Sequence, residues 1–274
     1  MKDRAYYSRP NDRTPVALVC PSLEASGCVH HGFSTRLGGV SSGPLASLNL
    51  GLHTKDSREN VFKNYSIFCD TIGVKKEKLV LPHQVHSSVV KTVTQRDAGK
   101  GLMRESDLGD FDALITAEIG LPIAVFYADC TPLLLLDPVK KVIAAVHSGW
   151  RGTLARIGRK TVQIMQRDFG CLPENILAAF GPSIKQCHFE IGSEVFTEFC
   201  QSFGARNMYG SRKIGEKYYV DTDRLNIAQL LAEGLLKENI SRCDICTFCN
   251  HDSFYSHRAD KGNTGRMCAA IELI

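Results

Sequence analysis

A cysteine and two histidines are the side chains of this sequence best suited to chemistry. Cys130 and His147 lie in the stretch ADCTPLLLLDPVKKVIAAVHSGWRG, and His86 ends the earlier motif HQVH. A thiolate with two imidazoles suits zinc, and three protein ligands with an open fourth position are typical of a catalytic zinc site. A zinc ion there would acidify a bound water or act as a Lewis acid. The three residues are far apart in sequence, so spacing alone leaves burial in the core as an alternative.

Other chemistries remain open for the same residues. Cys130 and His147 could form the nucleophile and base of a hydrolase, although that interpretation leaves His86 without a role. Two histidines and a cysteine could also bind blue copper. A multicopper centre needs many more histidines, usually as His-x-His pairs, and this chain has 9 histidines and no such pair.

A second group of possible ligands lies in CDICTFCNH, which contains Cys243, Cys246, Cys249 and His251. Successive Cys-x₂-Cys steps are typical of structural zinc or iron–sulfur sites. No distant pair with the right spacing completes the set. Buried or loop-stabilising thiols are therefore the favoured interpretation.

Arginines beside glycines form a third group: Arg36 in STRLGG, Arg151 in HSGWRG, and Arg258 and Arg266 in SHRADKGNTGR. A guanidinium binds phosphate or carboxylate through two parallel hydrogen bonds, and glycine lets backbone N–H groups approach an anion. Arg36 and Arg258 are candidates for anion binding. Arg151 is interpreted instead as a residue at the start of a helix.

Composition limits the class of protein. The 274 residues carry 33 basic and 29 acidic side chains, a net charge of +4, without the basic block interleaved with aromatics that would indicate nucleic-acid binding. No apolar run is long enough to span a membrane, and the N-terminus lacks the apolar centre of a signal peptide. The 11 cysteines are an odd number in a large chain, which disfavours a disulfide scaffold. We expect a cytoplasmic protein.

The elements that must position these residues are short strands and amphipathic helices. LPIAVFYADC, LLLLDP and KVIAAVHS are nearly continuous apolar runs, typical of strands buried on both faces. A helix is predicted over GTLARIGRKTVQIMQRDF, with Ser148 as its possible cap, and others over SEVFTEFCQSF and TDRLNIAQLLAEGLLKE. KLVLPHQVHSSVVKTV (78–93) is strand-like. The pattern predicts an α+β fold of mixed β-sheets layered with helices, in a single domain over 1–274 whose first 15 residues are peripheral.

Seven motifs in order carry a resemblance to a known family: HGFSTRLGGVSSGPLASLNLG, HQVHSSVV, DALIT, ADCTPLLL, AVHSGWRG, GPSIKQCHFE and CTFCNHDSFYSHRADKGNTGR. They resemble the YfiH/LACC1 family, once called polyphenol oxidases or laccase-domain proteins and now described as purine nucleoside phosphorylases with adenosine deaminase activity. The resemblance implies a zinc site at His86, Cys130 and His147. It also implies substrate or phosphate contacts from Arg36, Asn49 and Arg258, a fold like that of a bacterial toxin deamidase domain, and purine nucleosides and phosphate as small-molecule partners.

The chain departs from the family pattern at Ser87, His188 and Ala259, where family members often have other residues. The Ala259 change bears on anion binding, because an arginine is frequent there. The general acid of deamination could be Asp129 or Glu190. Three alternatives to the phosphorylase are kept: a Cys-His hydrolase or amidase of peptidoglycan-precursor editing, a laccase-like copper oxidoreductase, and a metal-binding protein without turnover. The oligomeric state is left open.

Overall fold

The computed structural model describes residues 6–8, 16–204, 208 and 211–274. The strands are β1 (Tyr7–Ser8), β2 (Ala17–Val19), β3 (Val29–Ser34), β4 (Val90–Thr92), β5 (Ala113–Thr116), β6 (Ile123–Tyr127), β7 (Thr131–Asp137), β8 (Val142–Ser148), β9 (Leu177–Phe180), β10 (Glu190–Ile191), β11 (Arg212–Ile214), β12 (Lys217–Tyr219), β13 (Ile240–Arg242) and β14 (Met267–Leu273). The helices are α1 (Pro21–Glu24), α2 (Arg58–Ile72), α3 (Trp150–Leu154), α4 (Ile157–Phe169), α5 (Ser193–Phe203) and α6 (Thr222–Ala232). Most of the predicted peripheral segment 1–15 lies outside the described residues.

Three sheets form the framework. A five-stranded antiparallel sheet has the order β1-β2-β3-β14-β6, and a six-stranded mixed sheet has the order β13-β9-β7-β8-β5-β4. In the second sheet the outer pairs β13–β9 and β4–β5 are parallel and the inner pairs are antiparallel. A small antiparallel sheet, β10-β12-β11, lies beside α5.

The two large sheets pack face to face, with α4 and α6 on the outer face of the six-stranded sheet and α2 on the outer face of the five-stranded sheet. Leu134 and Leu136 point into the core between the sheets, whereas Leu133 and Leu135 point into the core beneath α4 and α6. A third core lies between α2 and the outer face of the five-stranded sheet. Strand side chains alternate between faces, so the LLLL run is apolar throughout because both of its faces are buried. The predicted mixed sheets layered with helices are confirmed.

The predicted elements largely appear, with corrections at their ends. The three apolar runs correspond to β6, β7 and β8, and Asp221 caps α6 by accepting a hydrogen bond from the N–H of Arg224 (3.0 Å). The long helix after His147 was wrong as one element, because Arg156 has a left-handed φ of 62° and separates α3 from α4. The proposed cap Ser148 ends β8 instead, and its hydroxyl lies 3.0 Å from that of Thr153.

The strand-like stretch 78–93 is mostly an extended loop. Only Val90–Thr92 forms a strand, while Val80 and His83 make isolated bridges. The prediction failed there because Pro82 and the left-handed φ of 59° at His86 interrupt any regular ladder. Among the described helices, none combines the length and apolarity needed to cross a bilayer. The single-domain organisation over 1–274 stays a prediction.

Candidate metal centre and its pocket

Strand pairing brings Cys130 and His147 together. β7 and β8 are antiparallel, with Thr131 opposite Ser148 and Pro132 opposite His147. Continuing this register by one residue places Cys130 opposite Gly149. The absence of a side chain at Gly149 makes room for the thiol, because a Cβ there would lie only 3.1 Å from Cys130 Sγ and 2.9 Å from His86 Cδ2.

His86 reaches the same point from a loop that two side chains hold in place. Gln84 imitates a neighbouring strand: its amide donates to the carbonyl of Phe126 (2.9 Å) and its Oε1 accepts from the N–H of Phe126 (2.6 Å). The carboxylate of Asp112 accepts hydrogen bonds from the N–H groups of Val85, His86 and Ser87. These bonds stabilise the left-handed backbone at His86, a conformation that is costly for a residue other than glycine.

Asp112 also orients His147. Its Oδ1 lies 2.8 Å from His147 Nδ1, and its backbone carbonyl accepts from the N–H of His147 (2.8 Å). Both side chains are buried, with 0% and 3% of their surface exposed. A carboxylate on one ring nitrogen fixes the imidazole and leaves the other nitrogen for a metal, an arrangement common among metal-binding histidines.

The three predicted ligands converge. One ligand atom from each of His86, Cys130 and His147 lies within 4.8 Å of the others. Cys130 Sγ is 3.8 Å from His86 Nε2, and the two imidazole rings meet edge to face at 4.9 Å between centroids. This spacing fits three ligands around one small ion.

The electrostatics of the group favour a thiolate. Burial alone would raise the pKa of Cys130, but His147 and His86 outweigh burial and lower the pKa to about 6. Burial would likewise lower the pKa of His147, but the Cys130 thiolate and Asp112 raise that pKa to about 9. Both shifts favour the ion pair of thiolate and imidazolium over the neutral thiol and imidazole. The negative sulfur is the form that a metal binds.

A cavity of about 530 Å³ opens directly above this group. It is within the usual size range of small-molecule sites. Its lining includes the three converging residues, aromatic side chains and three arginines: His86, Cys130, His147, Phe126, Trp150, Phe189, Arg151, Arg258 and Arg266. The guanidinium groups of Arg258 and Arg266 donate hydrogen bonds to backbone carbonyls. Because carbonyls are uncharged, both positive charges are available to an anionic ligand.

Two predicted substrate contacts are not brought to the cavity. The Arg36 guanidinium donates to the carbonyls of Ala46 (2.8 Å) and His251 (2.7 Å) and lies over the ring of Tyr255. Asn49 is fully buried and donates to Asp56 (2.9 Å). Neither residue is part of the lining. Both hold the glycine-rich loop in shape.

The two candidate acids differ in position. Asp129 lines the cavity, but its carboxylate accepts from the hydroxyl of Thr247 (2.7 Å) and from the N–H of Arg258 (2.7 Å). Its structural effect is to hold the loop that carries Arg258. Glu190 lies outside the lining and accepts from the hydroxyl of Tyr219 (3.1 Å).

The four candidate ligands in CDICTFCNH do not lie together. Cys243 is buried in the core between the two sheets, and His251 is half exposed beside Asp252. Cys246 and Cys249 instead converge with Cys187 and His188 from a distant segment. The expectation that no distant pair completes this group was therefore wrong.

Two residues at the site, Asp112 and Arg266, were not predicted from the sequence. Asp112 begins the quoted DALIT motif, and its place just before a buried strand was the available signal. Arg266 had been noted beside glycines but was not assigned to the site. Burial lowers the pKa of its guanidinium, yet an arginine keeps its charge in proteins.

Comparison with known proteins gives consistent matches. The family model described as multi-copper polyphenol oxidoreductase laccase matches residues 30–274. A purine nucleoside phosphorylase, YlmD of Bacillus subtilis, is 36% identical over 243 residues, which cover 88% of this chain and 87% of the relative. An adenosine deaminase, RL5, from an unknown prokaryotic organism is 34% identical over 242 residues, covering 87% of this chain and 92% of the relative. The crystal structure of the hypothetical protein YfiH of Bacillus licheniformis has a TM-score of 0.90 at 30% identity, covering 95% and 97% of the two chains.

Proposed function

This chain belongs to the family described as multi-copper polyphenol oxidoreductase laccase, the YfiH/LACC1 family, and on that premise we propose that it is a zinc-dependent purine nucleoside phosphorylase with adenosine deaminase side activity. Its substrates are purine nucleosides such as adenosine, inosine and guanosine, and phosphate. The observation that carries the proposal is the convergence of His86, Cys130 and His147 in the wall of a cavity that also holds arginines.

The donor set fits zinc. His86, Cys130 and His147 supply one thiolate and two imidazoles, and Asp112 fixes the ring of His147 from behind. Three protein ligands leave a fourth position facing the cavity, as in catalytic zinc sites. When bound, the ion supplies a Lewis acid beside the substrate and lowers the pKa of a water molecule there.

The chain's own residues supply the rest of phosphorolysis. An oxygen of phosphate forms a bond to C1′ of the nucleoside while the bond from C1′ to the purine nitrogen breaks. The electron pair leaves with the base, which takes up a proton. Arg258, Arg266, Phe126 and Phe189 line the cavity. In the proposed reaction the two arginines bind phosphate and the two aromatic rings contact the base. Catalysis of this kind is mainly positioning and electrostatic stabilisation.

A product assay tests the proposal. Zinc-loaded protein is incubated with adenosine and phosphate, and the products are separated by chromatography. We expect adenine with ribose-1-phosphate, and a smaller yield of inosine from addition of water and loss of ammonia. Omitting phosphate should abolish adenine formation but leave inosine formation. Absence of both free base and inosine at all metal loadings would contradict the proposal.

Metal removal separates the alternatives. A Cys-His hydrolase would keep its activity without metal and would be trapped covalently at Cys130 by an electrophile. A laccase-like oxidase would need copper and would oxidise phenols. We expect chelated protein and Cys130→Ala to lose phosphorolysis, with activity restored to the chelated wild type by zinc.

A further inference from the structure

Three thiols and one imidazole converge at a second place, outside the pocket lining. Cys187 and His188 precede β10, and Cys246 and Cys249 follow β13. We call these four residues the three-thiol cluster. One ligand atom from each lies within 4.8 Å of the others. His188 Nδ1 is 3.2 Å from the sulfurs of Cys187 and Cys249 and 4.0 Å from that of Cys246.

The distances match a tetrahedral zinc site. Zinc–sulfur and zinc–nitrogen bonds of about 2.3 and 2.0–2.1 Å imply sulfurs about 3.8 Å apart and sulfur–nitrogen distances of about 3.5 Å at tetrahedral angles. The sulfurs of Cys187 and Cys249 are 3.7 Å apart, and the three sulfur–nitrogen distances fall on both sides of the expected value. Cys246 and Cys249 also have the Cys-x₂-Cys spacing of structural zinc sites.

Neighbouring groups hold the ligands in position. The N–H of Lys185 donates to Cys246 Sγ (3.4 Å), and the N–H of Asn250 donates to the carbonyl of Cys246 (3.1 Å). The ring of His188 stacks on Phe248 with 4.0 Å between centroids and 16° between planes. Such contacts orient metal ligands before the metal arrives.

Simple burial does not explain the cluster, because Cys187 and Cys249 are exposed. A disulfide between these two would need the sulfurs to approach to about 2.05 Å. It would also not explain why Cys246 and His188 lie at the same place. We propose that Cys187, His188, Cys246 and Cys249 bind one structural Zn²⁺, separate from the centre at His86, Cys130 and His147. All four positions around the ion are filled by the protein, as in structural sites. Binding releases the thiol protons to solvent.

The second ion would join two segments that line the pocket. Ile184 and Phe189 flank Cys187 and line the cavity, and His257 and Arg258 follow Cys249 and line it as well. Arg258 Nη1 also donates to the carbonyl of His188 (3.4 Å). The ion would therefore fix the position of Phe189 relative to Arg258, the arginine proposed to bind phosphate.

Metal counting in full-length protein tests this inference. Reduced protein is loaded with excess Zn²⁺, desalted and analysed for zinc. We expect about two ions per chain in the wild type, one in Cys130→Ala/His147→Ala, and one in Cys187→Ser/Cys249→Ser. Cys200→Ser, which removes a half-buried thiol in α5, should keep two. Co²⁺ in the Cys130→Ala/His147→Ala protein should give stronger sulfur-to-cobalt absorption than Co²⁺ in the cluster variant, because three thiolates bind it instead of one.

The Cys130→Ala/His147→Ala protein decides the matter even if the cluster variant does not fold, because it keeps the three-thiol cluster intact. The inference would be overturned if Cys130→Ala/His147→Ala protein contained no zinc after loading and desalting. So would a Cys187–Cys249 disulfide, seen in the intact mass as a loss of two hydrogens, that persists under reducing conditions. Neither result depends on phosphorylase activity, so failure here is distinguishable from failure of the proposed function.

Discussion

At the residue scale, Asp112 contacts both histidines of the candidate metal centre. Its carboxylate fixes the ring of His147 and accepts from the N–H groups around His86. The carboxylate form of Asp112 makes these contacts. Burial would raise the pKa of Asp112, but the hydrogen bonds from His147 and Ser87 outweigh burial and lower that pKa. Asp112 is a positioning residue, since it touches ligands and not the cavity.

We predict that Asp112→Asn weakens zinc binding at the pocket centre by about 10–100-fold, the usual effect of removing a group that orients metal ligands. The amide removes the negative charge beside His147. It also has only one oxygen, so it cannot accept all the hydrogen bonds that the two carboxylate oxygens accept from the N–H groups around His86. Competition with a chelator measures the affinity, in a Cys187→Ser/Cys249→Ser background. Asp110→Asn, which alters an exposed pair with His83, is the control and should leave affinity unchanged. Equal affinity in wild type and Asp112→Asn would contradict the prediction.

We predict that the candidate metal centre needs glycine at position 149 because there is no room for a side chain, and not because the backbone needs a conformation that only glycine adopts. Its φ of −69° suits any residue, but a Cβ would press on Cys130 Sγ and His86 Cδ2. Gly149→Ala should therefore separate the ligands and reduce both zinc affinity and phosphorolysis by at least about 10-fold, with little loss of secondary structure by circular dichroism. Gly158→Ala in α4 makes only ordinary contact, 3.4 Å from Leu133, and should retain both. Full activity of Gly149→Ala would show that the ligands can move apart freely.

Residue types made His86, Cys130 and His147 candidate ligands, and the family resemblance implied them as a set, but neither showed what holds them in place. Their donor chemistry is visible in sequence, whereas the contacts of Asp112 depend on β5 pairing with β8. Arg36 became a candidate for anion binding through its position beside glycines, and Asn49 through the family resemblance. Their polar atoms bond to loop carbonyls and to Asp56, and a role in substrate binding stays a prediction. Sequence cannot distinguish these uses, because both need the same side chains.

At the element scale, buried strands were predictable and the loop carrying His86 was not. β7 and β8 are apolar except at their ends, because both faces of each strand are covered. The loop 82–88 has no periodicity to detect. It is fixed by hydrogen bonds from the Gln84 side chain to Phe126 in β6 and from backbone N–H groups of the loop to the Asp112 carboxylate, and such bonds depend on tertiary structure.

The anchoring of this loop by Gln84 is testable. Gln84→Ala removes both hydrogen bonds to Phe126, and each is worth about 0.5–1.5 kcal/mol. We expect hydrogen exchange at the amide of Phe126 to accelerate by about 10-fold and zinc affinity at the pocket centre to fall. Gln95→Ala removes a side-chain bond to the carbonyl of Ile119 (2.9 Å) on another loop and should change neither quantity. Unchanged exchange at Phe126 in Gln84→Ala would mean that the loop is held by Asp112 alone.

At the scale of the whole molecule, a buried charge network ties the sheet to α6 beneath the pocket. Asp223, 1% exposed, accepts from Lys185 (2.5 Å) and from the hydroxyls of Thr131 (2.8 Å) and Ser183 (3.2 Å). These partners come from β7 and from the segment that leads to Cys187. Burial would raise the pKa of Asp223, but the charges of Lys185 and Arg242 and the hydrogen bonds outweigh burial and lower it.

This network makes a prediction about acid stability. A carboxylate whose pKa is lowered by folding stabilises the protein fully above its unfolded pKa, about 3.9, and loses that contribution as the pH falls through the lower folded value. At pH 7, Asp223→Asn leaves the buried charge of Lys185 without its carboxylate and should reduce the free energy of unfolding by about 3–5 kcal/mol. The difference from wild type should shrink as the pH falls below about 4, because the Asp223 carboxylate of the unfolded chain protonates there while that of the folded protein still holds its charge. Urea unfolding at pH 7, 4 and 3 measures it. Asp168→Asn, in an exposed pair with Arg167, should match wild type throughout. A difference between Asp223→Asn and wild type that stays constant with pH would mean that shape, and not charge, makes Asp223 necessary.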